Sequence, residues 1–180
     1  RARYDLASGY VVEVARIESK KNQLGLIEAL WHDPVDLVFV GSESPHFEPD
    51  YAQRCYEAGE RRGRVHFLGW LPKSELPWVY AAAAAHILPS WFELPGLVSI
   101  ESGASGTRVI STDISPLPEM LADQAVYCDP FDPASIRAAV LSALEKPVPH
   151  NLRDMLLAGF GWDEAARVNL ALYEGVLRAH

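Results

Sequence analysis

Two carboxylates eight positions apart, Glu93 and Glu101, bracket a run containing Pro95, Gly96, Leu97 and Val98, and they are the residues of this chain best placed to do chemistry. Glu93 follows a short apolar run, His86-Ile87-Leu88, which reads as a buried strand closed by Pro89 and Ser90. Pro95 is suited to open a helix, because proline lacks the N–H that a first turn leaves unpaired. The spacing predicts that helix over 96–105, stopped by Gly106. Leu97, Val98, Ile100 and Ala104 mark its apolar arc, and Glu101 falls between Leu97 and Val98 on the wheel. A carboxylate on an apolar arc is costly without a partner. A ligand hydroxyl is one partner; a local bond to Ser105 or partial solvation is the other, and this helix alone does not choose between them. The free N–H groups near Gly96, Leu97 and Val98 carry the positive end of the helix dipole, which favours a phosphate. Gly96 lets a ligand approach the backbone closely.

Two cations extend the pattern. Arg16 directly follows the first predicted strand, and Lys21 comes five residues later, at the start of the next helix. Both belong on the rim that carries the Glu93 loop. Two cations facing a helix N-terminus make a diphosphate site, since fixed positive charge stabilises the charge that grows on a departing phosphate. The alternative is that both are surface cations beside Glu13 or Glu18, and the residues alone favour it.

The elements that must position these groups alternate strand and helix. Strands are predicted at 10–15, 36–40, 65–68, 86–88, 109–111 and 125–128. Between them lie a helix with Leu24, Ile27 and Trp31 on one face, a polar helix over 50–62, and a helix over 74–84 with Ser74 as candidate cap. The alanine run at 81–85 reads as a tightly packed helix end. A loop over 113–118 leads to a short helix starting at Pro118 and Glu119. Asp132-Pro133 opens the clearest helix, with Ile136, Ala139, Val140, Ala143 and Leu144 at helical spacing, ended by Pro147 and Pro149. Helices over 151–158 and 162–179 complete the chain. Alternating elements rich in Val, Ile and Leu predict an α/β fold: a Rossmann-like parallel sheet of about six strands with helices on both faces. Such sheets bind ligands at the carboxyl ends of their strands.

Composition narrows the function. At 180 residues the chain is read as one domain, spanning 1–180, with 49% apolar and 22% charged residues. A net charge of −8 leaves no electrostatic footprint for nucleic acid. No apolar run approaches the roughly 20 residues of a membrane helix. Cys55 and Cys128 have no metal or redox spacing and read as core thiols of a reducing, cytoplasmic compartment. The six histidines, at 32, 46, 66, 86, 150 and 180, form no ligand set, and no metal site is expected. A dinucleotide Gly-x-Gly-x-x-Gly, a P-loop and a Gly-x-Ser-x-Gly elbow are all missing. So is an Asp-x-Asp pair for metal-dependent glycosyl transfer.

The Glu93 to Glu101 spacing resembles the Glu-x7-Glu motif of GT-B glycosyltransferases, family 4 type, and Ala15-Arg16 with Lys21 is similar to their Gly-Arg-x4-Lys segment. The resemblance covers nearly the whole chain and is to the C-terminal, donor-binding domain, with an N-terminal acceptor domain absent. It implies a retaining, metal-independent enzyme that transfers a hexose from a UDP-, GDP- or ADP-sugar and needs no cofactor. Arg16 and Lys21 would neutralise the leaving diphosphate and Glu93 would orient the sugar. Glu101 would accept the ribose hydroxyls, and the amides of Gly96, Leu97 and Val98 would hold phosphate and sugar oxygens. Residues 67–70 would flank the base, with Trp70 as a stacking surface. Pro118-Glu119 looks like the family's Pro-Glu, with Glu119 structural.

The chain departs from the family at several positions. Ala15 stands for the usual glycine, Leu94-Pro95 for Gly-Phe, Ser102-Gly103 for Ala-Met, and Arg108 for proline. Pro95 therefore has no amide to offer a donor. The fragment is expected to bind nucleotide weakly and to transfer nothing alone, with any peripheral membrane contact made through the absent domain. Two alternatives remain: an epimerase or phosphorylase of related architecture, and a non-catalytic nucleotide-binding domain.

Overall fold

The computed structural model describes residues 6, 9–44, 48–114 and 116–178; Ser115, Ala179 and the histidines at 46 and 180 lie outside them. Strands β1 (Val11–Val14), β2 (Leu37–Val40), β3 (Val65–Phe67), β4 (Ala85–Leu88), β5 (Arg108–Thr112) and β6 (Val126–Cys128) form one sheet. Its order is β3-β2-β1-β4-β5-β6 and every pairing is parallel. This is the doubly wound arrangement, whose direction of winding reverses between β1 and β4.

Side chains alternate across a strand, so a strand covered on both faces must be apolar at nearly every position. Val11, Leu37, Phe39 and Ile87 pack under α1 (Gln23–Ala29), α2 (Pro49–Arg62) and α6 (Pro133–Glu145). Val12, Val14, Val38 and Val40 pack on the opposite face with Val79 and Tyr80 of α3 (Leu76–Ala82). Ile100 of α4 (Leu97–Ala104) joins Leu117 and Leu121 of α5 (Leu117–Leu121) and Leu152 and Leu156 of α7 (Leu152–Gly159). Ile27, Ile87 and Ile110 are wholly buried, each contributing about 1.5–3 kcal/mol of apolar burial. Cys55 and Cys128 are free, and burial pushes both thiols up to about 12, which leaves them unreactive at neutral pH.

Asp132 caps α6 as its spacing predicts, accepting the Ala134 N–H at 2.9 Å, with Pro133 in the first turn. Ser74 does not cap α3. It lies in a turn closed by Glu75 N–H to the Pro72 carbonyl, and the helix starts two residues later. The alanine run is also split: the helix ends at Ala82, Ala83 is extended, and Ala85 already belongs to β4.

The helix after β4 begins one residue beyond Gly96. Gly96 has φ of +77°, so Pro95 stands outside the helix, and the Leu94-Pro95 peptide is cis. The buried arc of α4 differs from the apolar one. Ser99, Ile100, Ser102 and Gly103 are buried, while Leu97 and Glu101 are exposed. Small residues let this helix sit close on the sheet. The Ser99 hydroxyl lies 3.2 Å from His86 Nε2, and a Cβ on Gly103 would meet Leu156 and Val109.

The last helix, α8 (Trp162–Arg178), buries none of its residues. Trp162, Leu170, Leu172, Tyr173 and Leu177 all stand exposed. Among the described residues no helix is long and apolar enough to cross a membrane.

Candidate functional site

The carboxyl ends of β1 and β4 lie side by side where the winding reverses, and the loops leaving them diverge to opposite faces. The crevice this opens is an open depression of about 310 Å³, lined by Ala15, Arg16, Lys21, Glu93, Gly96 and Val98 among others. Six of the residues singled out from sequence, Arg16, Lys21, Glu93, Gly96, Leu97 and Val98, thus share one cradle.

Lys21 ties the two loops together. Its Nζ donates to Glu93 Oε2 at 2.5 Å, across 72 positions of sequence. Both side chains are largely buried, at 15% and 11% exposure. Glu93 is further held by the Ser90 hydroxyl and the Leu94 N–H, each at 3.3 Å. The backbones are stitched as well, by Trp91 N–H to the Lys20 carbonyl at 2.9 Å. Arg16 takes a different posture. Its guanidinium is exposed and reaches Glu18 at 3.4 Å, a carboxylate it shares with Lys20 at 3.2 Å. Gln23 Nε2 donates to the Arg16 carbonyl at 2.9 Å and so fixes its backbone. The Glu18 contact foreseen as the alternative therefore exists for Arg16, and Lys21 alone turns into the cradle to meet a carboxylate. Above it the α4 start presents its N–H groups, opened by Gly96 in a conformation suited to glycine.

Glu101 corrects the wheel. It is exposed, so its carboxylate carries no burial cost that a ligand must relieve. Ser105 Oγ donates to the Glu101 main-chain carbonyl at 2.8 Å, not to its carboxylate. Glu101 instead lines a neighbouring depression of about 260 Å³ with Lys73, Leu76, Pro77, Tyr80 and Ser105. Tyr80 is buried in its floor, and its hydroxyl has no hydrogen-bond partner among the described residues. Burial pushes that hydroxyl's pKa up, and the Glu101 carboxylate pushes it further. Leu97 and Glu101 are one helical turn apart, so the two depressions follow the same side of α4. Nothing in the sequence pointed to Lys73 or Tyr80, which lie in a segment legible only as a helix and its entry. Trp70 is 69% exposed and lines neither depression. Glu119 is exposed in the first turn of α5, and no group of His, Cys, Asp or Glu among the described residues could hold a metal ion.

Glu13 lies in the first strand as expected, but not at the surface. It was open to reading as a surface partner for Arg16 or Lys21, yet it is 1% exposed and both carboxylate oxygens lack a hydrogen bond. Its signal was a lone acid inside Val-Val-Glu-Val. Burial raises its pKa well above the ordinary value; Lys21 opposes that rise and Glu93 adds to it. Below the ordinary glutamic-acid pKa of about 4.3 Glu13 is protonated in both states and its contribution to stability is complete. As pH rises the unfolded chain ionises first, and stability is lost up to the raised folded value. Glu13→Gln removes this dependence. In thermal unfolding from pH 4 to 8, the wild type is expected to lose ground steadily to Glu13→Gln, by roughly 2–4 °C per kcal/mol. A difference that stays constant with pH would refute the burial of a neutral acid.

A doubly wound sheet with two cations and a helix start lining the crevice at its point of reversal defines a Rossmann-like ligand-binding domain. The chain belongs to the glycosyl transferases group 1 family, whose model matches residues 5–157. It is 32% identical over 150 residues to the O-antigen chain mannosyltransferase B of Escherichia coli, covering 79% of this chain and 39% of that one. Among solved structures, sucrose-phosphate synthase from Thermosynechococcus elongatus matches all of this chain and 49% of its own, at 27% identity and a TM-score of 0.85. Anabaena HepE, solved in complex with UDP and glucose, shares the fold at 22% identity and a TM-score of 0.82, over 98% of this chain and 50% of that one. The chain thus spans half or less of the length of each of these three proteins, and its fold is that of the GT-B C-terminal domain.

Proposed function

We propose that this chain, over residues 1–180, is the donor-binding C-terminal half of a retaining, metal-independent glycosyltransferase that moves a hexose from a nucleotide diphosphate to a hydroxyl acceptor. The observation that carries the reading is the Lys21–Glu93 pair, set between two loops at the sheet's point of reversal beside Arg16 and the α4 start. The UDP and glucose held by the similarly folded HepE support the ligand class.

The reading assigns each group a task. Diphosphate enters against the N–H groups of Leu97 and Val98, with the Gly96 backbone close by, and draws Lys21 and Arg16 onto its oxygens. Glu93, released from Lys21, accepts hydroxyls of the sugar. Glu101 accepts the ribose hydroxyls at the mouth of the depression floored by Tyr80, and Trp70 offers its indole face to the base. In the transfer itself the bond from the anomeric carbon to the phosphate oxygen breaks. The bond to the acceptor oxygen forms on the same face, and the departing phosphate takes the acceptor's proton. Arg16 and Lys21 stabilise the negative charge that develops, so neither a metal nor another cofactor is required. An N-terminal half supplies the acceptor site and the opposite wall, and the exposed apolar side chains of α8 pack against it. A cytoplasmic protein with any membrane contact made through that half completes the assignment.

The test is a thermal-shift panel of UDP, GDP, ADP and their common hexose derivatives on this chain. One base is expected to raise the melting temperature by a few degrees at a ligand excess of about 100 Kd. Arg16→Ala and Glu101→Ala are each expected to lose most of that rise. No response to any of the three diphosphates would sink the reading, and sugar transfer by the chain alone would overturn the need for a second half.

A further inference from the structure

A third depression, of about 260 Å³, opens on the other side of the turn that carries Lys21, between α1 and the start of α2. Its lining includes Trp91, Tyr51, Ser19, Glu28, Glu48 and Arg54, none of which belongs to the donor cradle. Trp91 is 44% exposed, and its ring stacks on Phe131 at 6.1 Å with the planes 21° apart, which holds the indole as a wall. The floor is fixed by the Tyr51 hydroxyl, which accepts the Leu24 N–H at 3.1 Å, and by the Asn22 carboxamide, which donates to the Pro130 carbonyl at 2.9 Å. Glu28, Glu48 and Arg54 are exposed, and their side chains make no ion pair or hydrogen bond among the described residues.

Each feature constrains the ligand. Two carboxylates against one guanidinium leave the lining net negative, which disfavours a phosphate or other anion. Carboxylates accept hydrogen bonds and the guanidinium donates them, so the ligand must carry hydroxyls that do both. The aromatic wall asks for an apolar face on that same ligand. The volume falls below the roughly 300 Å³ at which pockets for drug-sized molecules begin. A pyranose ring answers all four, with its C–H face, its rim of hydroxyls, its neutrality and its size.

We infer that the cavity walled by Trp91 is a saccharide subsite, which takes a non-reacting ring of a glycan beside the donor cradle. This assignment stands apart from the donor reading, since the two sites share no residue. Trp91 lies two positions before Glu93, and its N–H bonds the Lys20 carbonyl, so the wall of this cavity and the cradle share one loop.

The test is a titration of the isotope-labelled chain with mannotriose and, separately, maltotriose, read at the Trp91 indole N–H by nuclear magnetic resonance. At least one is expected to shift that resonance with a Kd of about 1–10 mM. Trp91→Ala is expected to weaken binding more than about tenfold and Trp91→Phe less, because it keeps a ring. Glu28→Gln and Glu48→Gln each weaken it roughly three- to tenfold. Should Trp91→Ala fail to fold, the two glutamine variants decide alone. The UDP response at Leu97 is expected to survive in Trp91→Ala, which separates failure of this site from failure of the donor reading. No shift with either trisaccharide overturns the assignment. So does equal binding in Trp91→Ala, or preferential binding of inorganic phosphate at the same resonance.

Discussion

Lys21→Ala is expected to lower the turnover of the full-length protein by about 10²–10³-fold, the scale seen when one fixed group facing developing charge is removed. UDP affinity in the present chain is expected to fall with it. Glu93→Gln is expected to part the two quantities. In the unliganded site Lys21 is engaged by Glu93 at 2.5 Å, with both side chains largely buried. A diphosphate must compete with that carboxylate for the ammonium group, and an amide competes far less. Affinity for UDP should therefore hold or rise a few-fold in Glu93→Gln, while transfer falls about 10²-fold because the sugar loses its carboxylate acceptor. Isothermal titration with UDP and steady-state rates on the same variants supply the comparison. If Glu93→Gln loses UDP affinity as deeply as Lys21→Ala does, the pair is a structural clamp and Glu93 has no task at the sugar.

The second large effect concerns the frame under the cradle. Gly41 leaves β2 with φ of +147°, and a Cβ built there would stand 1.9 Å from the Ala15 carbonyl oxygen and 3.3 Å from the Arg16 nitrogen. The obstacle is backbone, so it cannot swing aside as a flexible side chain would. Gly41 N–H also donates to the Gly69 carbonyl at 2.9 Å, which ties the exits of β2 and β3, while Ala15 N–H donates to the Val40 carbonyl at 2.9 Å and ties in β1. Gly41→Ala must therefore displace residues 15 and 16 or break this stitching. The expected cost is about 3 kcal/mol or more, a fall of roughly 6–12 °C in melting temperature for a domain of this size. UDP binding should weaken further than Arg16→Ala alone weakens it, because the whole loop moves. A melting temperature within a couple of degrees of wild type would show that the strand ends yield more easily than their hydrogen bonds indicate.

Some of the site was legible in the residues and some was not, for definite reasons. The start of α4 was read to within one residue, but Pro95 does not open it: Gly96, at φ of +77°, stands between the proline and the first helical residue, Leu97. Arg16 and Lys21 could be placed on the Glu93 rim because parallel strands must all end on one side. Glu101 was misplaced because the wheel weighed side-chain type alone, whereas α4 seats its small residues, Ser99, Ser102 and Gly103, against the sheet and turns Leu97 outward. Trp70 stands exposed in the expected loop and lines neither depression. Glu13 went unsuspected as a buried group because a single acid in an apolar run does not announce whether its strand is an edge or the centre of a sheet.

The amino-acid sequence by itself determined the alternation of strands and helices, the capped start of α6 at Asp132 and Pro133, and the chemical kinds of group available on the rim. These depend on periodicity and backbone preference within a few residues, so they survive without knowledge of distant neighbours. Only the tertiary structure decided that β1 lies against β4, that Lys21 meets Glu93 across 72 positions, that Glu13 is sealed inside, and that Trp91 walls a separate cavity. Those outcomes follow from the order in which parallel strands assemble and from how closely each helix can approach the sheet, and such choices are made by contacts between residues far apart in the chain.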